Sequence, residues 1–141
     1  MRPLHDLKPR QILVVDDDSD IVDLISTRLI IGGYQVAIAR NGAEALRSLK
    51  AARPDAMILD INMPGIDGFG VLERMQNASI RPPTLVLTAR HNAQDVAKAI
   101  RLGAKDYLAK PFDDRMLLSR VARLFRAPLP RAPEAPCVVE L

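Results

Sequence analysis

At 141 residues, 48% of them hydrophobic and 26% charged, the chain has the size and composition of one folded domain with a short appendage, which excludes two domains and intrinsic disorder. A single cysteine, Cys137, excludes an intrachain disulfide or a cysteine-based metal site and makes a reducing, cytoplasmic setting the expectation. Apolar runs such as 12–15 and 56–59 fall far short of the roughly 18 residues of a membrane span, and residues 1–10 carry no apolar signal core. The net charge of +3 is local, since residues 110–131 hold one Lys and five Arg against Asp113 and Asp114; this is either a solvated helix face or a contact for an acidic partner.

Residues 11–15 form a short β-branched apolar run that ends in Asp16, Asp17 and Asp18, the pattern of a strand buried on both faces. A helix follows, capped by Asp18 or Ser19, with apolar positions Ile21, Leu24, Ile25 and Leu29, and Gly32 with Gly33 stops it. A strand over 35–39 leads to Asn41, which caps a helix running through Lys50. Pro54 marks the break before the strongly apolar strand 56–59, which ends in Asp60. A loop with Pro64, Gly65 and Gly68 opens a helix over about 69–77, and Pro82 and Pro83 precede a strand over 84–88. Residues 94–102 read as a helix ended by Gly103. Residues 106–109 form a last short strand, Lys110 and Pro111 a turn, and Asp113 opens a helix with the stripe Leu117, Val121, Leu124 and Phe125.

Five strand-helix units in about 115 residues imply right-handed crossovers and a doubly wound five-stranded parallel sheet with helices on both faces, an α/β fold. The expected organisation is an N-terminal extension over 1–10, a domain over 11–126 and a Pro/Ala-rich segment over 127–141. That last segment is an extended tail, a linker cut short or a docking peptide.

In such a sheet the site lies beyond the carboxyl ends of the strands. That rim gathers Asp16, Asp17, Asp60, Thr88 and Lys110. Three crowded carboxylates repel one another, and a hard divalent cation with oxygen ligands, Mg²⁺ for an open hydrated site, is the usual reason to tolerate this. The plainer alternative for Asp16 to Asp20 alone is helix capping. Asp60, at the end of the most apolar strand, is the candidate nucleophile toward phosphorus, with Asp16 and Asp17 as metal ligands, Lys110 neutralising a phosphoryl oxygen and Thr88 donating to another.

The segments Ile12-Leu-Val-Val-Asp-Asp-Asp18, Leu59-Asp-Ile-Asn-Met-Pro-Gly-Ile-Asp-Gly68, Leu87-Thr-Ala89 and Asp106-Tyr-Leu-Ala-Lys-Pro-Phe112 closely resemble the receiver domain of two-component response regulators. The resemblance implies a flavodoxin-like fold with strand order 2-1-3-4-5 and phosphorylation of Asp60 by a histidine kinase, a phosphotransfer protein or small acyl phosphates. It also implies Mg²⁺ at Asp16, Asp17, Asp60 and the Asn62 main-chain carbonyl, a cis Lys110-Pro111 peptide, and Thr88 and Tyr107 at the switch positions. The phosphoryl group would draw the Thr88 hydroxyl and vacate space for Tyr107, reshaping the face formed by the fourth helix, last strand and fifth helix. Asn62 and Arg90 stand at positions that tune acyl-phosphate lifetime in the family, and His91 reads as a solvated histidine.

The output is a downstream protein partner or an output domain missing from this chain, and nothing after residue 126 reads DNA. Asp106 and Arg120 match one salt bridge of the dimers formed by winged-helix regulators, but Lys105 and Met116 stand where acidic residues are usual. A monomer or a weak phosphorylation-dependent dimer is therefore expected. Two alternatives compete. A haloacid-dehalogenase-like phosphatase would share a strand-end Asp nucleophile, but Asp20 stands where its motif wants Thr or Val; a nucleotide- or flavin-binding module would need a Gly-rich loop where this chain carries carboxylates.

Overall fold

A computed structural model of the chain describes residues 8–89 and 92–126. Among them strands and helices alternate without exception: β1 (Gln11–Val15), α1 (Ser19–Ile31), β2 (Gln35–Ala39), α2 (Gly42–Ala52), β3 (Ala56–Asp60), α3 (Gly68–Asn77), β4 (Thr84–Ala89), α4 (Ala93–Arg101), β5 (Asp106–Lys110) and α5 (Asp114–Leu124). The strands form one parallel sheet in the order β2-β1-β3-β4-β5, the doubly wound flavodoxin-like topology expected.

The sheet is buried on both faces because its central strands are continuous apolar runs, Ile12 to Val15, Ala56 to Leu59 and Leu85 to Leu87. Side-chain alternation divides the core in two. Leu13, Val15, Met57, Leu59 and Val86 pack with Ala45 and Leu49 of α2, Val71 and Leu72 of α3 and Ala99 of α4. On the other face, Ile12, Val14, Ile58, Leu85 and Leu87 pack with Ile25 and Leu29 of α1 and Leu117, Val121 and Leu124 of α5. Each fully buried Leu or Ile contributes about 1.5–3 kcal/mol relative to exposure. This core holds the strand ends rigidly.

All five helices start at the carboxyl rim of the sheet with an Asx cap: Asp18, Asn41, Asp67, Asn92 and Asp113 each accept a backbone N–H with their side chain. Such caps are worth about 0.5–2 kcal/mol each. Asp18, rather than Ser19, caps α1, and Asp113 is the cap of α5 and not its first turn. Gly68 lets α3 start against the end of β3, since a Cβ there would lie 2.6 Å from the Asp60 carbonyl oxygen and 2.7 Å from the Ile61 Cα.

Element ends differ from the sequence expectation in a few places, each with a local cause. Lys110 is not a turn residue: it pairs with Ala89 and closes β5, with the cis peptide to Pro111 beyond it. β4 runs one residue further for the same pairing. Asn92 caps α4 one residue earlier than expected, and α2 continues to Ala52, ending at Arg53 in a left-handed conformation (φ 46°). At the amino end of the sheet, Arg10 is integrated into the fold: its carbonyl accepts from the Gln35 N–H and its guanidinium lies 4.3 Å from the Phe125 ring centroid. Residues 1–7, Arg90, His91 and the segment 127–141 lie outside the described residues.

Candidate functional site

β1 and β3 are neighbours, and Asp16 and Asp60 follow the same side-chain parity as Val14 and Ile58. Lys110 follows the parity of Leu108, which also belongs to the α1/α5 side of the core. Three groups far apart in sequence thus emerge on the same side of the sheet at its carboxyl rim. Asp16 is fully buried and Asp60 nearly so, and their carboxylates, with that of the exposed Asp17, offer ligand oxygens all within 4.8 Å of one another.

The electrostatics of this cluster are unbalanced. The Lys110 ammonium donates to Asp16 Oδ2 at 3.2 Å and lies 3.6 Å from Asp60 Oδ1. Asp16 Oδ1 accepts the Asp18 N–H at 3.0 Å, and Asp60 Oδ1 accepts the Asn62 N–H at 3.3 Å. Burial and then the negative charge of Asp16 push the Asp60 carboxyl from 3.8 up to about 6; Lys110 and the Asn62 N–H oppose this without cancelling it. One ammonium against three carboxylates leaves a deficit of positive charge, and an all-oxygen donor set of this kind fits a hard divalent cation such as Mg²⁺.

Thr88 is buried on β4, one position beyond Leu87, the register partner of Asp60. Register places Thr88 beside Ala109 and Tyr107 beside Val86, so Thr88 and Tyr107 share the face of the sheet that α3 and α4 cover. The site carboxylates and Lys110 have the opposite parity. Tyr107 is half-buried, held at its backbone by Arg120, whose Nη1 donates to the Tyr107 carbonyl at 2.7 Å and to Asp106 Oδ1 at 3.1 Å.

The structure therefore brings Asp16, Asp17, Asp60 and Lys110 together as read from the sequence, with the Asn62 backbone touching Asp60 through its N–H. Arg90 and His91 lie outside the described residues. Two relations were not anticipated. Lys110 is hydrogen-bonded to Asp16, more closely than it approaches Asp60. Asp106 pairs within its own chain with both Arg120 and Arg123 (3.1 and 3.4 Å); the spacing of the two arginines, three apart on α5, is the signal that one carboxylate on β5 serves both. No helix among the described residues is long and apolar enough to cross a membrane.

Comparison with known proteins agrees with this geometry. A sequence profile described as the response regulator receiver domain matches residues 12–122. The chain is 45% identical over 116 residues to the transcriptional regulatory protein PrrA of Mycobacterium tuberculosis, covering 82% of this chain and 50% of that protein. It is 40% identical over 120 residues to the response regulator MprA of Mycobacterium avium, covering 85% and 53%. The chain thus spans about half the length of the curated relatives it matches. Among solved structures, a putative response regulator from Chloroflexus aurantiacus superposes with a TM-score of 0.79 at 37% identity, covering 83% of this chain and 98% of that one. The chemotaxis response regulator CheY4 of Vibrio cholerae superposes with 0.76 at 35%, covering 82% and 98%.

Proposed function

The chain belongs to the response regulator receiver family, and from that premise we propose that it is a phosphorylation-controlled switch whose Asp60 carboxylate accepts a phosphoryl group from a histidine kinase or phosphotransfer protein. The observation that carries this reading is the buried strand-end Asp60, pushed up to about 6 between Asp16 and Lys110. At pH 7 it is mostly ionised and its charge is poorly compensated, so the carboxylate is held as a ready nucleophile, and the still more negative acyl phosphate it forms requires positive charge beside it. An Asp60 oxygen attacks phosphorus in line; the new O–P bond forms as the bond from phosphorus to the donor's imidazole nitrogen breaks, and the leaving group takes the electron pair. The Lys110 ammonium, 3.6 Å from Asp60 Oδ1, neutralises one phosphoryl oxygen, and the Thr88 hydroxyl donates to another. Mg²⁺ held by Asp16, Asp17, Asp60 and the Asn62 main-chain carbonyl would supply charge neutralisation and a template for in-line attack.

Thr88 and Tyr107 share one face of the sheet, which supports a switch in which movement of Thr88 toward the phosphoryl group opens space for Tyr107. Driving such an element from 1:99 to 99:1 takes about 5.5 kcal/mol, within reach of several charge-assisted hydrogen bonds acting together. The readout is the face of α4, β5 and α5, presented to a protein partner or to an output domain beyond this chain; any contact with nucleic acid would be made there, as the description of PrrA as a transcriptional regulatory protein suggests. The chain's own chemistry is limited to gaining and losing the Asp60 phosphoryl group, in the cytoplasm. Asp106 is engaged by Arg120 and Arg123 of its own chain, which supports a monomer or weak dimer.

The phosphatase alternative has no support. Its motif would make Asp18 a general acid, but the Asp18 carboxylate is the cap of α1, accepting from the Asp20 and Ile21 N–H groups. Incubation with acetyl phosphate and Mg²⁺ followed by intact-mass measurement tests the proposal: one added phosphate that stops there, lost in Asp60→Asn, supports it. Sustained turnover of p-nitrophenyl phosphate or undiminished labelling of the variant would overturn it.

A further inference from the structure

β5 is the last strand of the sheet, with β4 on one side, and its other flank lies between α4 and α5. Helical spacing turns an apolar side chain toward this flank from each helix. On α4, the Lys98 ammonium lies 4.3 Å from the Phe69 ring centroid of α3 and Ala99 is buried against the sheet. Ile100, about 100° further round the helix, is therefore directed away from α3 and toward the flank of β5, and it is 45% exposed. On α5, Arg120 and Arg123 reach Asp106 of β5 at 3.1 and 3.4 Å. Met116, one turn before Arg120, belongs to the same stripe and is 42% exposed.

The charge around these two side chains has one sign. From Val96 to Lys110 and from Arg115 to Arg126 the sequence holds a single carboxylate, Asp106, and two arginines already share it. Asp114 serves the opposite side of α5, where it pairs with Arg28 of α1 at 2.7 Å. The Lys105 ammonium donates to the carbonyls of Leu124 and Arg126, both at 2.9 Å; these neutral acceptors hold the ammonium without cancelling its charge. Arg101 is exposed at the end of α4. Against Asp106 alone, Arg101, Lys105, Arg120 and Arg123 leave an excess of positive charge between two apolar side chains.

We propose that this flank docks an acidic amphipathic helix of a partner protein, with its apolar side chains on Ile100 and Met116 and its carboxylates on Arg101, Lys105 and Arg123. The proposal rests on the switch reading above and supplies the chemistry of the partner that reading calls for. A second copy of the chain fits poorly, because an isologous contact sets the same cations against one another. Nucleic acid would answer the cations but offers its phosphates nothing to place on Ile100 and Met116. Arginine and methionine together, with few carboxylates, are the composition of a protein interface, and an amphipathic helix presents apolar and charged stripes side by side.

The probe is a synthetic helix of about 18 residues, about 27 Å long, with leucines at i, i+3, i+4 and i+7 spacing on one face and glutamates elsewhere, added to the whole chain with and without Mg²⁺ and beryllofluoride. In a ¹H–¹⁵N spectrum of the activated chain the amide signals of Ile100, Arg101, Lys105, Met116 and Arg123 should shift. Those of Lys50, Arg53 and Arg81, a second basic cluster beside the end of α2, should not. Arg101→Glu should weaken binding about tenfold, since an exposed ion pair is worth up to about fivefold and reversal adds repulsion. Ile100→Asp should weaken it at least as much, and both variants should keep the melting temperature and the phosphorylation by acetyl phosphate. Equal shifts at the second basic cluster, binding that survives both variants, tight self-association of the activated chain or preference for duplex DNA would overturn the proposal. Absence of binding in both states, with Asp60 still phosphorylated, would overturn it and leave the switch standing. Equal binding with and without beryllofluoride would support the partner's chemistry and count against the switch.

Discussion

Replacing Asp60 by asparagine should stabilise the metal-free protein above pH 6. The folded structure holds this carboxyl at about 6 against an ordinary value of 3.8, burial being the first cause and Asp16 the second. An acid whose folded value is raised is harder to ionise folded than unfolded. It imposes no penalty below pH 3.8, a growing one between 3.8 and 6, and the full one above. At 1.36 kcal/mol per pH unit, the displacement corresponds to about 3 kcal/mol. Asparagine imitates the neutral carboxyl, so Asp60→Asn should match the wild type near pH 3.5 and exceed it by up to about 3 kcal/mol at pH 7.5. For a folded unit of this size that is on the order of 10 °C in melting temperature. Urea unfolding followed by circular dichroism, in chelator, at a series of pH values reads the difference directly. Equal stability at pH 7.5, or a less stable variant, would mean that Lys110 and the Asn62 N–H compensate the buried charge fully, and the electrostatic reasoning would fail.

Saturating Mg²⁺ should raise the melting temperature of the wild type, by about 2.7 kcal/mol of stability at 100 times Kd, and Asp17→Asn should lose most of that gain; identical melting with metal and chelator would contradict the metal site. Thr88→Ala should still take up phosphate at Asp60 but fail to shift the Tyr107 ring resonances on addition of beryllofluoride; an unchanged Tyr107 response would separate the two residues. Sedimentation of the beryllofluoride-activated protein should show a monomer or weak dimer; a micromolar or tighter dimer abolished by Arg120→Glu would show that the reduced salt-bridge set suffices.

Most of the fold was legible because apolar period and punctuation agree along the chain. Runs such as Ile12 to Val15 are too short and too uniformly apolar for anything but a central parallel strand, and Asn41, Gly32 and Gly103 mark helix ends by chemistry that depends on nothing distant. Boundaries shifted where pairing overrode local signals. Lys110 before Pro111 reads as a turn, but its ladder partner Ala89 keeps it in β5. The site's composition was legible for the same reason that its wiring was not. Strand ends in a doubly wound sheet must meet at one rim, so Asp16, Asp60, Thr88 and Lys110 could be gathered without coordinates. Which carboxylate Lys110 favours depends on distances across residues 94 apart, and the answer, Asp16, has no sequence signature. Arg120 is a similar case: it matched a bridge between subunits, yet in the folded chain it is held by Asp106 and the Tyr107 carbonyl. Lys105 likewise reads as a missing acidic partner, whereas in the structure it anchors the end of α5.

The central claim is that one particular carboxylate of the cluster becomes the acyl phosphate, and chemical trapping addresses it directly. After incubation with acetyl phosphate and Mg²⁺, borohydride reduction converts a phosphorylated aspartate to homoserine, which peptide sequencing by mass spectrometry locates. Homoserine at Asp60 alone is the predicted result. Homoserine at Asp16 or Asp17, with Asp60 intact, would contradict the account.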